Sequence, residues 1–141
     1  MAERFVIFDI DGTLFDKSHR KGDARPTNEQ VLADRPIQEV IEIARSLQAH
    51  PEGTTLVFST GRSILLREVT RQQLTEDGLV VTHLLMRETG WGGMSDADVK
   101  QANLKHIDIQ NVLCVFEDKG ACVDMYRDAG LTVFHCKQPT L

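Results

Sequence analysis

"FVIFDIDGTL", residues 5–14, sets four apolar residues ahead of an aspartate, then one isoleucine, a second aspartate and a glycine. An apolar run that does not alternate predicts a strand covered on both faces, as parallel strands between helices are. Asp9 and Asp11 then stand at the carboxyl end of that strand. In an open α/β sheet this is the rim where ligands bind.

The rest of the chain repeats the rhythm. Strands are expected at residues 4–10, 54–59, 79–86, 112–116 and 131–135, with interiors such as LVF, VVTHLL, VLCVF and LTVF. Between them lie helical patterns. Asp34 is placed to cap, and Pro36 to open, a helix whose Ile37, Val40, Ile41, Ala44 and Leu47 share one face and which ends at His50-Pro51-Glu52-Gly53. Ser95 followed by Asp98 resembles a capping box for a helix with Val99 and Ala102 inward, and a last helix from about Ala121 stops at Gly130. Alternating strands and helices with brief connections imply right-handed crossovers and a doubly wound sheet. The one long excursion, from Asp11 to Asp34, carries Lys17, His19, Arg20, Lys21 and Arg25, read as a solvated basic loop.

With 141 residues, 41% of them apolar, the chain is expected to form one domain over residues 1–141 with a real core. Its net charge of −5 argues against a surface that coats nucleic acid, so any polyanion must be held at a site. Cys114, Cys122 and Cys136 show no C-x-x-C spacing and read as buried free thiols of a reducing compartment. No run approaches the ~18 apolar residues of a membrane span, and no secretory leader is visible. A cytoplasmic protein without membrane contact is expected, and association with a second copy is left open.

The polar residues that end each apolar run are chemically coherent: Asp9 and Asp11, then Ser59-Thr60-Gly61-Arg62, then Arg87, then Glu117-Asp118, with Lys100 in the helix leading to the fourth strand. Acids, a hydroxyl and several cations on one rim suit a divalent metal, Mg²⁺, holding a phosphoryl group. Asp9 and Asp118, from strands expected to be neighbours, are candidate ligands, and a cation explains how close carboxylates stay ionised. The turn at Gly12 lets the backbone approach a ligand. Asp9 is then placed as nucleophile and Asp11 as general acid and base. Thr13 is read either as a turn cap or as a group orienting the Asp9 carboxylate, and Thr60 as a helix N-cap that also greets a phosphoryl oxygen.

These residues resemble the motifs of the haloacid dehalogenase superfamily of aspartate-dependent phosphohydrolases. "FVIFDIDGTL" is similar to its hhhhDxDGT first motif, Thr60 in "LVFSTGR" to the second, Lys100 to the third and "VFED" at residues 115–118 to the acidic fourth, in family order. A narrower resemblance, through "STGR", "LLMR", "DADVKQANLKHI" and "VDMYRDAGLTVF", is to the 3′-phosphatase domain of phage-type polynucleotide kinase/phosphatase. The resemblance implies a three-layer Rossmann-like fold, a five-stranded parallel sheet with helices on both faces and little or no cap domain. It also implies catalytic Asp9, Asp11, Thr60 and Lys100, phosphate contacts from Arg62, Arg87, Thr13 and Gly61, and Mg²⁺ on Asp9, Asp11, Asp118 and Glu117. The chain departs from the pattern in having Glu117 where an aspartate is usual, which leaves its metal contact open. A G-x-x-x-x-G-K-[ST] kinase loop is missing.

Substrate size follows from the connections. With only a flap after the first strand, an open site suits a phosphate at the end of a large molecule, so a phosphorylated nucleic acid end, a polynucleotide 3′-phosphate, is expected over a free nucleotide. The alternatives are a small-substrate phosphatase such as a nucleotidase and, from another class, a receiver-type phosphoacceptor domain. Among lesser candidates, Lys105 competes with Lys100, His83 reads as a core residue, and Trp91 reads either as a base-stacking platform or as a loop anchor.

Overall fold

The computed structural model describes residues 3–22 and 24–137. Five parallel strands form the sheet: β1 (Arg4–Phe8), β4 (Thr54–Ser63), β5 (His83–Arg87), β6 (Val112–Glu117) and β7 (Val133–His135), in the spatial order β5-β4-β1-β6-β7. By position along the chain, that is 3-2-1-4-5. This is the Rossmann-type order, whose reversal on either side of β1 opens a crevice at the strand ends. A receiver domain has the order 2-1-3-4-5, so the phosphoacceptor alternative is excluded by topology.

β1 shows why the quoted stretch decides the fold. Val6 and Phe8 point into one core with Leu56, Phe58 and Met86, while Phe5 and Ile7 point into the other with Val57, Val115 and Tyr126. Helices α1 (Asn28–Leu32), α2 (Gln38–Gln48) and α3 (Arg67–Glu76) cover the first face, and α4 (Asp96–Asn103) and α5 (Gly120–Asp128) the second. The strand is central, so burial on both sides erased the alternation an edge strand would show.

Beyond Phe8 the chain turns sharply. Asp9 N–H donates to Phe116 O at 3.0 Å, extending the ladder by one bond, and the carbonyl of Ile10 then accepts from Leu14 N–H at 2.9 Å and Phe15 N–H at 3.1 Å. Gly12 takes φ +85° in this turn. A Cβ there would collide with the Asp118 carboxylate, so the residue must lack one on both counts.

Several expected boundaries move, and the largest moves have a local reason. The second strand runs on to Ser63 because pairing with β5 resumes at Ser63 and Arg87 after an irregular stretch. Thr60 therefore lies inside a strand and caps no helix; Ser63 caps instead, accepting from Leu65 N–H at 3.2 Å at the head of the 3₁₀ turn Ile64–Leu66. The third strand starts only at His83, since Leu79 N–H bonds back to Leu74 O and Gln48 takes Val80 N–H. Asp34 and Pro36 do not open α2, whose N-cap is Ile37; Pro36 pairs with Phe15 in a two-stranded antiparallel ribbon, β2 (Phe15–Asp16) with β3 (Arg35–Pro36). That ribbon closes the base of the long excursion as a flap, and α1 within it is fixed by a capping box between Thr27 and Gln30 and by buried Val31. The Ser95 cap and the Gly130 stop at φ +88° stand as expected. No helix among the described residues is long and apolar enough to cross a membrane.

Candidate active site

The carboxyl ends of β1, β4, β5 and β6 open into a broad cleft of about 1040 Å³, lined by Asp9, Asp11, Thr60, Gly61, Arg62, Arg87, Lys100, Glu117 and Asp118 together with the flap. Of the expected site residues only Thr13 is absent from that lining; it is fully buried just behind it.

Two charged groups meet in this cleft. The first gathers around Asp9. Lys100, from α4, is buried and donates to Asp9 Oδ1 at 2.8 Å and to Glu117 Oε1 at 2.6 Å. Thr13 Oγ1 donates to Asp9 Oδ2 at 3.0 Å and lies 3.4 Å from Asp118 Oδ1, so it orients the first carboxylate rather than the turn. Glu117 Oε2 accepts the backbone N–H groups of Asp118 and Lys119 at 3.0 and 3.1 Å. Asp9, Glu117 and Asp118 each bring a carboxylate oxygen within 4.8 Å of the others.

The electrostatics follow from three clustered acids, of which only Asp9 and Glu117 pair with the ammonium of Lys100. Burial, and then the charge of Asp9, push the Glu117 carboxyl up to about 7 against the pull of Lys100. Asp118 is pushed up to about 8 by burial, Asp9 and Glu117. Burial alone would lower Lys100, yet Asp9 and Glu117 hold it well above the ordinary lysine value. Such a group attracts a further cation.

The second group gathers around Asp11 and Asp34. Arg62 donates through Nη2 to Asp11 Oδ1 at 2.7 Å and through Nε to Asp11 Oδ2 at 3.2 Å, a forked pair, while its Nη1 donates to Thr70 and Gln73 on α3. Arg20 reaches in from the flap to Asp11 Oδ1 at 2.9 Å and to both oxygens of Asp34 at 3.0 and 2.8 Å. Asp34 also meets His19 Nε2 at 2.7 Å and Gln73 Nε2 at 3.2 Å. Burial by itself would raise Asp11, but Arg62, Arg20 and Lys17 hold its carboxyl below the ordinary range.

The Asp11 side chain, expected among the metal ligands, is therefore turned to the two guanidinium groups and stands outside the carboxylate cluster. Arg20, read as part of a solvated loop, is a clamp. Asp34, read as a cap, is a buried hub.

Arg87 is spent on local structure: Nε donates to Gly61 O, Nη1 to Trp91 O and Met94 O, and Nη2 to Asp96 at 2.9 Å. Trp91 is thus tied through its carbonyl, and its ring is not part of the cleft lining, which favours the loop-anchor reading. Thr60 Oγ1 accepts Arg62 N–H at 3.1 Å, fixing the turn of chain that presents both residues. His83 stacks edge-on against Phe5 at 5.6 Å, as a core residue would, and Lys105 is exposed on a 3₁₀ turn away from the cleft. Cys114 and Cys122 are buried and free, with thiols raised by burial, while Cys136 is half-buried.

Asp96 was not picked out from the sequence. It bridges Arg87 Nη2 and Lys119 Nζ, both at 2.9 Å, and presses on Gly61 so closely that a Cβ there would strike it. The signal was available: Asp96 precedes Lys100 by four residues, so on a helix both share one face.

A family model described as the polynucleotide kinase phosphatase domain matches residues 3–140. Among solved structures, the chain is similar to one of the Pnkp1/Rnl/Hen1 complex, at 23% identity and TM-score 0.82, covering 99% of this chain and 47% of that one. A second, of the Pnkp1/Rnl/Hen1 RNA repair complex, gives 24% identity and TM-score 0.83, covering 99% and 43%. The chain thus spans less than half the length of the chains it resembles. No curated protein matches it significantly.

Proposed function

Because the chain belongs to the polynucleotide kinase phosphatase-domain family of the haloacid dehalogenase superfamily and is a phosphatase, we propose that it removes the 3′-phosphate from polynucleotide ends by way of an aspartyl-phosphate on Asp9, with Mg²⁺. The observation that carries this reading is the convergence of Asp9, Thr13, Lys100, Glu117 and Asp118 at one strand end, in an open cleft without a cap among the described residues.

The donor set fits a hard divalent cation: carboxylate oxygens only, an excess of acid over base, and a glycine at position 12 where a Cβ would fill the space beside Asp118. Asp9 and Asp118 would hold the ion. Glu117, with Oε1 on Lys100 and Oε2 on two backbone N–H groups, serves as the anchor of the lysine. When bound, the ion neutralises phosphoryl charge and polarises the bond to be broken.

Each step then has a residue. Lys100 and Thr13 lock the Asp9 carboxylate so that one oxygen faces phosphorus in line. The bond from Asp9 to phosphorus forms as the bond to the 3′-oxygen breaks, and Asp11 gives that oxygen a proton. Water then attacks phosphorus, its proton goes to Asp11, and inorganic phosphate leaves a regenerated Asp9. Asp11 begins the cycle paired with Arg62 and Arg20, and the substrate phosphate is a competing anion for the same guanidinium groups. Its arrival loosens their hold on Asp11, which takes up from the monoanionic phosphate ester or from solvent the proton it then gives to the leaving oxygen. Thr60, Gly61 and Lys100 meet the equatorial oxygens, where phosphoryl transfer gains most of its stabilisation.

A panel of substrates tests this. With Mg²⁺, the protein is expected to hydrolyse a 3′-phosphorylated oligonucleotide faster than a 3′-mononucleotide or a 5′-phosphorylated oligonucleotide, and Asp9→Asn is expected to be inactive on all three. Equal or better rates on the mononucleotide would favour the small-substrate alternative.

A further inference from the structure

The flap between β2 and β3 carries Lys17, Lys21 and Arg25, all exposed and all lining the cleft that holds Asp9 and Asp118. Among the described residues none of the three forms an ion pair. Arg20, their neighbour, is spent on Asp11 and Asp34, which pins the middle of the flap to the site and keeps the three cations over it.

The facing wall is of the opposite character. The segment after β5 brings Glu88 and Asp96 to the lining, and the cations beside it, Arg87 and Lys119, are both bonded to Asp96. In a chain of net charge −5, one wall of the cleft is therefore cationic and the other is not. A polyanion with its end at Asp9 is drawn along the flap and repelled from Glu88.

We propose that Lys17, Lys21 and Arg25 form a track for the internal phosphodiesters of a single strand whose terminal phosphate sits at Asp9. The proposal rests on the 3′-phosphatase reading and deepens it: the floor of the cleft selects a phosphate, and the flap selects a polynucleotide over a mononucleotide. Contacts of this kind position a strand without reading its sequence.

The test uses Lys21→Ala/Arg25→Ala in the full chain, with Lys17 left intact because its charge also bears on Asp11. Hydrolysis of a single-stranded 3′-phosphorylated oligonucleotide and of a 3′-mononucleotide is followed across a series of salt concentrations. In the variant, kcat/KM on the oligonucleotide is expected to fall through KM, and its log–log dependence on salt to become shallower by about 1.4, or about 0.7 for each lost phosphate contact on a single strand. Rates on the mononucleotide should be unchanged, which also reports an intact fold, and Lys21→Arg/Arg25→Lys should keep the wild-type salt slope.

An unchanged slope with an unchanged preference for the oligonucleotide would overturn the track, as would an equal loss on both substrates. Failure of the parent reading looks different. Wild-type protein indifferent to the position of the phosphate and to the length of the strand would overturn that reading and the track together.

Discussion

Around Asp9 three carboxylates cluster about a single ammonium group that pairs with two of them, whereas around Asp11 and Asp34 two carboxylates are met by two guanidinium groups, a glutamine amide and an imidazole. Both groups sit at the same rim and both are largely buried. The first is short of positive charge and is completed by what binds there. The second is already balanced, and its work is to hold the flap, β4 and α3 in one geometry around Asp11. A cation stabilises the first, and an incoming anion competes inside the second.

The widest separation of the two is expected from Asp118→Asn against Arg62→Lys. The first variant should lose Mg²⁺-dependent turnover by about a thousandfold or more and also lose the rise in melting temperature that Mg²⁺ gives wild type. Arg62→Lys cannot reproduce a fork that reaches Asp11, Thr70 and Gln73 at once, so it should cost about 2–3 kcal/mol of stability together with activity. It should nevertheless keep its Mg²⁺-induced stabilisation. Thermal melts with and without Mg²⁺ would break the comparison if both variants lost that response, or neither did.

The pH dependence of the metal-free protein should carry opposite signs from the two groups. Glu117 and Asp118 are raised to about 7 and about 8 in the folded state. They keep protons that the unfolded chain has released, so the stability they contribute is full below about pH 4 and is lost as pH rises to about 8. Asp11 is lowered by Arg62 and Arg20, so its contribution is present above about pH 4 and is lost as pH falls further. Denaturant midpoints measured in chelator should decline from mildly acidic to mildly alkaline pH, and added Mg²⁺ should flatten that decline. A rise across the same window would contradict the assignment.

The smallest effect is expected at the edge of the second group. His19 is one of several donors on Asp34, and its side chain is 38% exposed. His19→Ala should change stability by no more than about 1 kcal/mol and leave kcat nearly unaltered, as chemical denaturation and steady-state rates would show. A large loss of kcat would mean that His19 takes part in setting Asp11.

The same contrast marks what could be read in the chain. The Asp9 group was legible because strand ends supply it: an apolar run buried on both faces announces its own end, and Asp9 closes one while Glu117 and Asp118 together close another. Lys100 could be found because Ser95 fixes where α4 begins, and Asp96 could have been found from Lys100 by helical spacing. The Asp11 group was only half legible. Its Arg62 followed from the strand end, but Arg20 and Asp34 enter from the flap, where no period governs direction. Lone charges beside Pro and Gly look alike whether they are caps, solvated or buried hubs. Asp34 lay outside reach for that reason: its partners Arg20, Arg62 and Gln73 come from the flap, β4 and α3, and nothing in the local sequence around Asp34 encodes them.

The central claim is that phosphorus is bonded to Asp9 during turnover, and the most direct measurement is the stereochemical course of transfer to an acceptor alcohol from a substrate whose phosphorus is made chiral by oxygen isotopes. Two successive in-line displacements, first by Asp9 and then by the acceptor, predict net retention of configuration. Net inversion would mean a single direct displacement, and would contradict the account.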